Sequence, residues 1–220
     1  MTTFYRKKIQ CSLCGEISEF TGISSTNTFF GSADLDTRPP EMQRSTMHTW
    51  VRRCPHCGYC ASDIGTSVPE AQSIVKSKAY ADQLNDTDYP EMANSFLCKA
   101  MICEETGDYK AAFLAFLHAA WACDDHKRHT QAKMCRQKAA DRLMRVAEQN
   151  RQLAAPNESY TAILIDLLRR SGQVEQARQI IAARRDDITD EMIRQIIDFQ
   201  VKLLDRNDVS CHTVEEVIGK

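Results

Sequence analysis

From residue 90 onward, apolar side chains recur at the period of an α-helix. Phe96, Leu97, Ala100, Met101 and Cys103 fall at helical spacing, and Gly107 interrupts the run. The same pattern predicts helices over 68–84, 90–106, 108–123, 128–149, 158–171, 173–184 and 189–205. The loops between them are short, so sequential neighbours should pack antiparallel. Ser67-Val68-Pro69-Glu70 has the spacing of a capping box, and Asp88-Tyr89-Pro90-Glu91 repeats it.

Residues 1–66 follow a different pattern. They hold five of the eight glycines and short β-prone pieces: FYRKKIQC, ISEFTGI and HTWVRRC each read as a strand. Between them SADLDTRPPEMQRST reads as loop, because Asp-rich polar residues and a Pro-Pro pair do not hold a ladder. Its acids Asp34, Asp36 and Glu41 are expected to be solvated. Large apolar residues are too few here for a core alone, so this half needs a staple.

Within the helical half, Gly107-Asp108-Tyr109 forms a turn, and Ala112, Phe116 and Ala119 follow at the spacing of a tetratricopeptide second helix. Small residues there admit close helix approach, and the aromatic fills the gap. Gly172, Ala177 and Ile181 give a weaker echo, with Arg184 in place of the second small residue. A plain antiparallel bundle is the competing arrangement. The expected fold is therefore mainly α. A small β/loop zinc-knuckle unit (zinc-ribbon-like) covers 1–66, a tetratricopeptide-like antiparallel helical array covers 67–210, and 211–220 form a C-terminal tail.

The candidate staple is a repeated motif. CSLCG (11–15) and CPHCG (54–58) are both Cys-x-x-Cys-Gly, separated by 39 residues between Cys14 and Cys54. Two intervening residues let both thiolates of a tight turn reach one metal, and the glycine can take positive φ. Two such turns supply Cys11, Cys14, Cys54 and Cys57, the closed set of one structural Zn²⁺. Cys54, Cys57 and Cys60 also match the start of an iron–sulfur motif, but the fourth cysteine before proline is missing. A thiol–disulfide site would need a helix N-terminus behind the cysteines. Cys60 is expected to be a small buried neighbour, and His56 to point outward.

Together CSLCG, SADLDTRPP, RRCPHCGYCASD and GDYKAAFLAFLHAAWACDD resemble an uncharacterised bacterial family of unknown function, one with paired cysteine knuckles and a helical tail. The resemblance spans roughly residues 5–185. It implies zinc binding and helical repeats and supplies no activity. Members of that family often carry alanine after CGY; here Cys60 intervenes before Ala61.

Charge narrows the function classes only a little. The net charge is −2 and 26% of residues are charged, so no global field favours nucleic acid or membrane. No apolar run reaches the ~18–20 residues of a membrane span. The N-terminus lacks the apolar stretch of a signal peptide, so a cytoplasmic protein is expected. The ten cysteines are then unlike a disulfide framework. Locally, Lys127, Arg128, Lys133, Arg136, Lys138, Arg142, Arg145 and Arg151 face only Asp141 and Glu148, a pattern that usually marks a solvated helix face. In DDHKRH (124–129), Asp124 and Asp125 are expected to cap the next helix.

No phosphate loop, nucleophile elbow or HExxH is present, and a closed four-thiolate metal has no open position, so no catalytic residues are expected. Two functional readings follow. In the first, the helical array takes a protein or peptide partner on its concave face, at Asn94, Cys98, Lys99, Asp166 and Arg169. In the second, Lys7, Lys8, Arg52 and Arg53 bind nucleic acid with the basic helix over 126–149. The first is preferred, because no aromatic residues interleave with the basic ones.

Overall fold

A computed structural model describes residues 2–151 and 157–219. The chain opens with an antiparallel pair, β1 (Thr3–Gln10) and β2 (Ile17–Ser25). A short helix α1 (Glu41–Arg44) follows, then a 3-10 turn over Met47–Thr49. A second, minimal antiparallel pair is β3 (Arg52–Arg53) with β4 (Cys60–Ala61). Of the third expected strand, HTWVRRC, only two residues pair. Its first part is drawn into the 3-10 turn, where Trp50 Nε1 donates to Thr46 Oγ1 at 3.0 Å.

The rest is helical: α2 (Ala71–Val75), α3 (Lys78–Leu84), α4 (Glu91–Glu105), α5 (Tyr109–Asp125), α6 (His129–Arg151), α7 (Glu158–Arg170), α8 (Val174–Arg184), α9 (Glu191–Asp205) and α10 (Val214–Ile218). Six of the expected helices match α4 to α9 closely. The helix expected over 68–84 is broken into α2 and α3. Ser77 is extended (ψ 149°) and accepts from the Tyr80 N–H, so it starts a new helix instead of continuing one. Neither expected capping box forms, for Glu70 and Pro90 occupy the N-cap positions without a side-chain bond. The box that does form is Thr213 with Glu216, at α10.

One continuous apolar cluster runs from Cys11, Cys54 and Tyr59 through Phe96, Phe116 and Trp121 to Leu204. Tyr80 of α3 ties the second cysteine turn to the helices. Its hydroxyl donates to the Gly58 carbonyl and accepts from the Cys60 N–H, both at 3.0 Å. The segment 211–219 closes back on the loop after β2. Leu35 N donates to the His212 carbonyl and Val214 N to the Ala33 carbonyl, at 2.9 and 2.8 Å. Among the described residues no helix is long and apolar enough to cross a membrane.

Candidate metal centre

The two cysteine motifs fold into the same turn. Each sits at the tip of an antiparallel pair, between partners Gln10↔Ile17 in one and Arg53↔Cys60 in the other. The first cysteine's N–H closes each loop, Cys11 to the Glu16 carbonyl at 2.9 Å and Cys54 to the Tyr59 carbonyl at 2.8 Å. The glycine N–H returns to that cysteine's carbonyl, at 2.9 Å in both. Gly15 and Gly58 both have φ +77°, a conformation that costs any residue with a Cβ.

The turns bring Cys11, Cys14, Cys54 and Cys57 together with their sulfurs within 4.8 Å of one another. Cys11 Sγ lies 3.7 Å from Cys57 Sγ, and Cys14 Sγ 3.7 Å from Cys54 Sγ. Those separations are far longer than a disulfide bond, about 2.05 Å. Cys11 and Cys54 are buried and Cys14 is the most open. Burial pushes the Cys54 and Cys57 thiols up. At Cys11 burial also raises the thiol, but the N–H groups of Cys14 and Leu13 outweigh it and hold it below its usual range. Four gathered sulfurs with amide donors aimed at them form a donor set that can hold a metal ion.

The register explains Cys60. It is the first residue of the returning strand, the counterpart of Ile17, and lies outside the turn that gathers the four sulfurs. It is fully buried, and its thiol donates to the Gly58 carbonyl at 3.3 Å. His56 is exposed.

The expected partner surface is not a surface. Asn94, Cys98, Asp166 and Arg169 are all buried, the last two to 1% exposure. The Asn94 amide bridges Gln83 and the Asp86 carbonyl. The Cys98 thiol reaches the Tyr80 carbonyl at 3.8 Å. Arg169 is held by Asp166 at 2.7 Å and by the Asp208 carbonyl at 2.6 Å. Lys99 is half-buried, and its Nζ donates to Ser62 Oγ at 2.6 Å. Helical spacing alone could not tell the groove side of α4 and α7 from the side that α3, α9 and the knuckles cover.

The basic residues are also largely engaged. Arg53 pairs with Glu91 at 3.7 Å and the Arg52 guanidinium donates to the Ser62 carbonyl. Lys7 and Lys8 lie on β1 opposite Phe20 and Glu19. On α6 Arg136 is buried, Arg142 pairs with Glu104, and Lys138 and Arg145 lie over the rings of Phe116 and Tyr109. The side chain of Arg151 lies outside the described residues.

What sequence reasoning missed is a buried ionic hub. Asp36, expected to be solvated, is fully buried. Its Oδ2 accepts from Trp121 Nε1 at 3.0 Å and Arg170 Nη1 at 2.9 Å, with Arg136 Nη2 at 3.5 Å. Asp124 does not cap α6. It lies in the last turn of α5 and pairs with Arg136 at 2.5 Å and Arg170 at 3.0 Å. Arg38 and Arg44 both reach Asp125. One loop thus pins α5, α6 and α7.

A model of one bacterial family matches residues 4–200, from the first strand through the last long helix but one turn. The chain belongs to the DUF2225 family. The family is described as an uncharacterized protein conserved in bacteria, and both cysteine turns and the ionic hub lie within the matched region. No curated protein and no solved structure matches the chain.

Proposed function

We propose that the four thiolates hold one structural Zn²⁺, and that this DUF2225 chain is a non-catalytic, cytoplasmic interaction module. Support for the metal comes from the matched turns. A tetrahedron with Zn–S bonds of about 2.3 Å has sulfurs about 3.8 Å apart; two of the sulfur pairs here are 3.7 Å apart and all lie within 4.8 Å. Bound there, the ion would supply a cross-link between the two hairpins. The chain's own part is to orient the thiolates and to offset their excess negative charge with Arg6, Lys7, Lys8, Arg52 and Arg53 nearby in sequence. Four protein ligands leave no position for substrate, so the metal is read as scaffold.

The helices are read as a tetratricopeptide-like array taking a protein or peptide. Gly107 and Gly172 turn at positive φ, and Ala112, Ala119 and Ala177 are fully buried where neighbouring helices meet. The binding face moves away from the residues first expected. It goes to an apolar cavity between α6, α7 and α8, lined by Leu143, Met144, Ala147, Tyr160, Leu164 and Ile180.

Elemental analysis of purified protein tests the metal: one zinc per chain is expected, and iron would refute it. For the array, Met144→Asp should lose a partner that the wild type retains in pull-down, with zinc content unchanged. A partner held equally by both proteins would remove the groove assignment.

A further inference from the structure

We propose that the open edge of β1 takes an extended acidic peptide segment of a partner protein as a third strand of the hairpin. Among the described residues β1 has β2 as its only neighbour in the sheet. Bonding alternates along an antiparallel pair, so every second residue turns its N–H and C=O away from the neighbouring strand. Cys11 N donates to the Glu16 carbonyl, which sets the phase. Ile9, Lys7 and Tyr5 therefore bond toward β2, and Lys8, Arg6 and Phe4 turn outward. Among the described residues no loop backbone bonds to Phe4, Arg6 or Lys8. At the cysteine-turn end the edge is already flanked. Ser12 N donates to the Ile64 carbonyl at 2.9 Å, and a Cβ on Gly65 would lie 3.8 Å from the Gln10 carbonyl oxygen. From Lys8 back to Phe4 the outward donors and acceptors are left to solvent, which is the template for strand addition.

Charge selects the occupant. Arg6, Lys7 and Lys8 are consecutive, and Glu19 is the acid set across from them on β2. It pairs with Arg6 at 3.4 Å and is also the register partner of Lys8, so one carboxylate answers three cations. Lys7 lies opposite Phe20. A strand laid beside β1 brings its side chains to about 5 Å from these residues, so acids at alternate positions meet Arg6 and Lys8. A second copy of the chain is a poor occupant. Antiparallel pairing of two β1 edges centred on Arg6 sets Arg6 against itself, and like charges directly opposite repel. Phe4 and Tyr5 are exposed beyond the cations and offer an apolar surface to one hydrophobic residue of the peptide. The edge shares no residue with the cavity between α6, α7 and α8 or with the four gathered cysteines, so it stands without either assignment.

Nuclear magnetic resonance of the isotope-labelled full chain tests this, with the peptide Glu-Val-Glu-Val-Glu-Phe as probe. Saturable shifts of the Lys8, Arg6 and Phe4 amide signals are expected. The same peptide methylated on its backbone nitrogens keeps the charge but cannot pair as a strand, and it should bind about tenfold more weakly or worse. Lys8 is exposed, so variants there should keep the fold, checked by thermal melting. Lys8→Gln removes one charge and should weaken binding about two- to fivefold, the size of one exposed ion pair. Lys8→Pro has the same charge as that variant but lacks the outward N–H, and should weaken binding about tenfold. No shift at the edge, equal binding of the methylated peptide, or equal binding by the proline and glutamine variants overturns the proposal. An oligouridylate that binds this edge more tightly than the peptide would overturn it in favour of nucleic acid. A dimer of the free chain that already protects these amides would overturn it in favour of a second copy.

Discussion

Arg170 Nη1 donates to Asp36 Oδ2 at 2.9 Å, joining α7 to a loop 134 residues earlier in the chain. Asp36 is fully buried and the Arg170 side chain is 7% exposed, and the same oxygen also serves Trp121 and Arg136. A buried ion pair is weak support for stability when whole, but breaking one strands the surviving charge. Asp36→Asn should therefore cost about 3–5 kcal/mol. Asp125→Asn, at a more open pair, should cost about 1 kcal/mol or less. Urea midpoints for the two variants check this. Equal midpoints would refute the assignment of Asp36 as the hub.

Acid should attack the same hub. Burial raises the Asp124 carboxyl, but hydrogen bonds from Arg136 and the charges of Arg170 and Arg38 overcome it and hold the group below its usual range. A depressed folded pKa means that the stabilisation is fully present above the unfolded value, about 3.9. It is lost as pH falls through the lower folded value. Unfolding free energy measured from pH 6 down to pH 2 should fall at the acid end, and Asp124→Asn should flatten that fall. An unchanged slope in the variant would contradict it.

Cys60 should be separable from the four gathered cysteines. Cys14→Ser removes one of the four gathered sulfurs, so under the proposed zinc assignment it should release the ion and lower the melting temperature. Cys60→Ala leaves the four-sulfur set intact and should cost only about 1–2 kcal/mol, the loss of one small buried side chain. Metal content by mass spectrometry distinguishes the two. Zinc lost from Cys60→Ala would make Cys60 a ligand.

Gly15 and Gly58 share a backbone conformation but not a neighbourhood. A Cβ on Gly58 would lie 2.6 Å from Leu84 Cδ2, whereas one on Gly15 would meet nothing within 4 Å. Gly15→Ala should cost the conformational penalty alone, about 1–2 kcal/mol. Gly58→Ala should cost about 1–3 kcal/mol more from crowding against α3. Thermal melts of the zinc-loaded proteins compare them, and equal losses would argue that α3 does not pack on the second turn.

A helix or a metal turn is written in residues a few positions apart, and those features were legible in the chain. Periodicity placed α4 to α9, the repeated Cys-x-x-Cys-Gly paired two turns 39 residues apart, and resemblance pointed to an uncharacterised bacterial family. Tertiary structure alone decided what depends on distant partners. A polar loop reads as solvated until arginines from α6 and α7 arrive to bury Asp36. Asn94 reads as an open position on α4 until α3 and the loop after it cover it, and Asp166 and Arg169 read so on α7 until the chain after α9 does. Local spacing fixes which residues share a side, whereas burying a charge takes a counter-charge whose place only the folded chain determines.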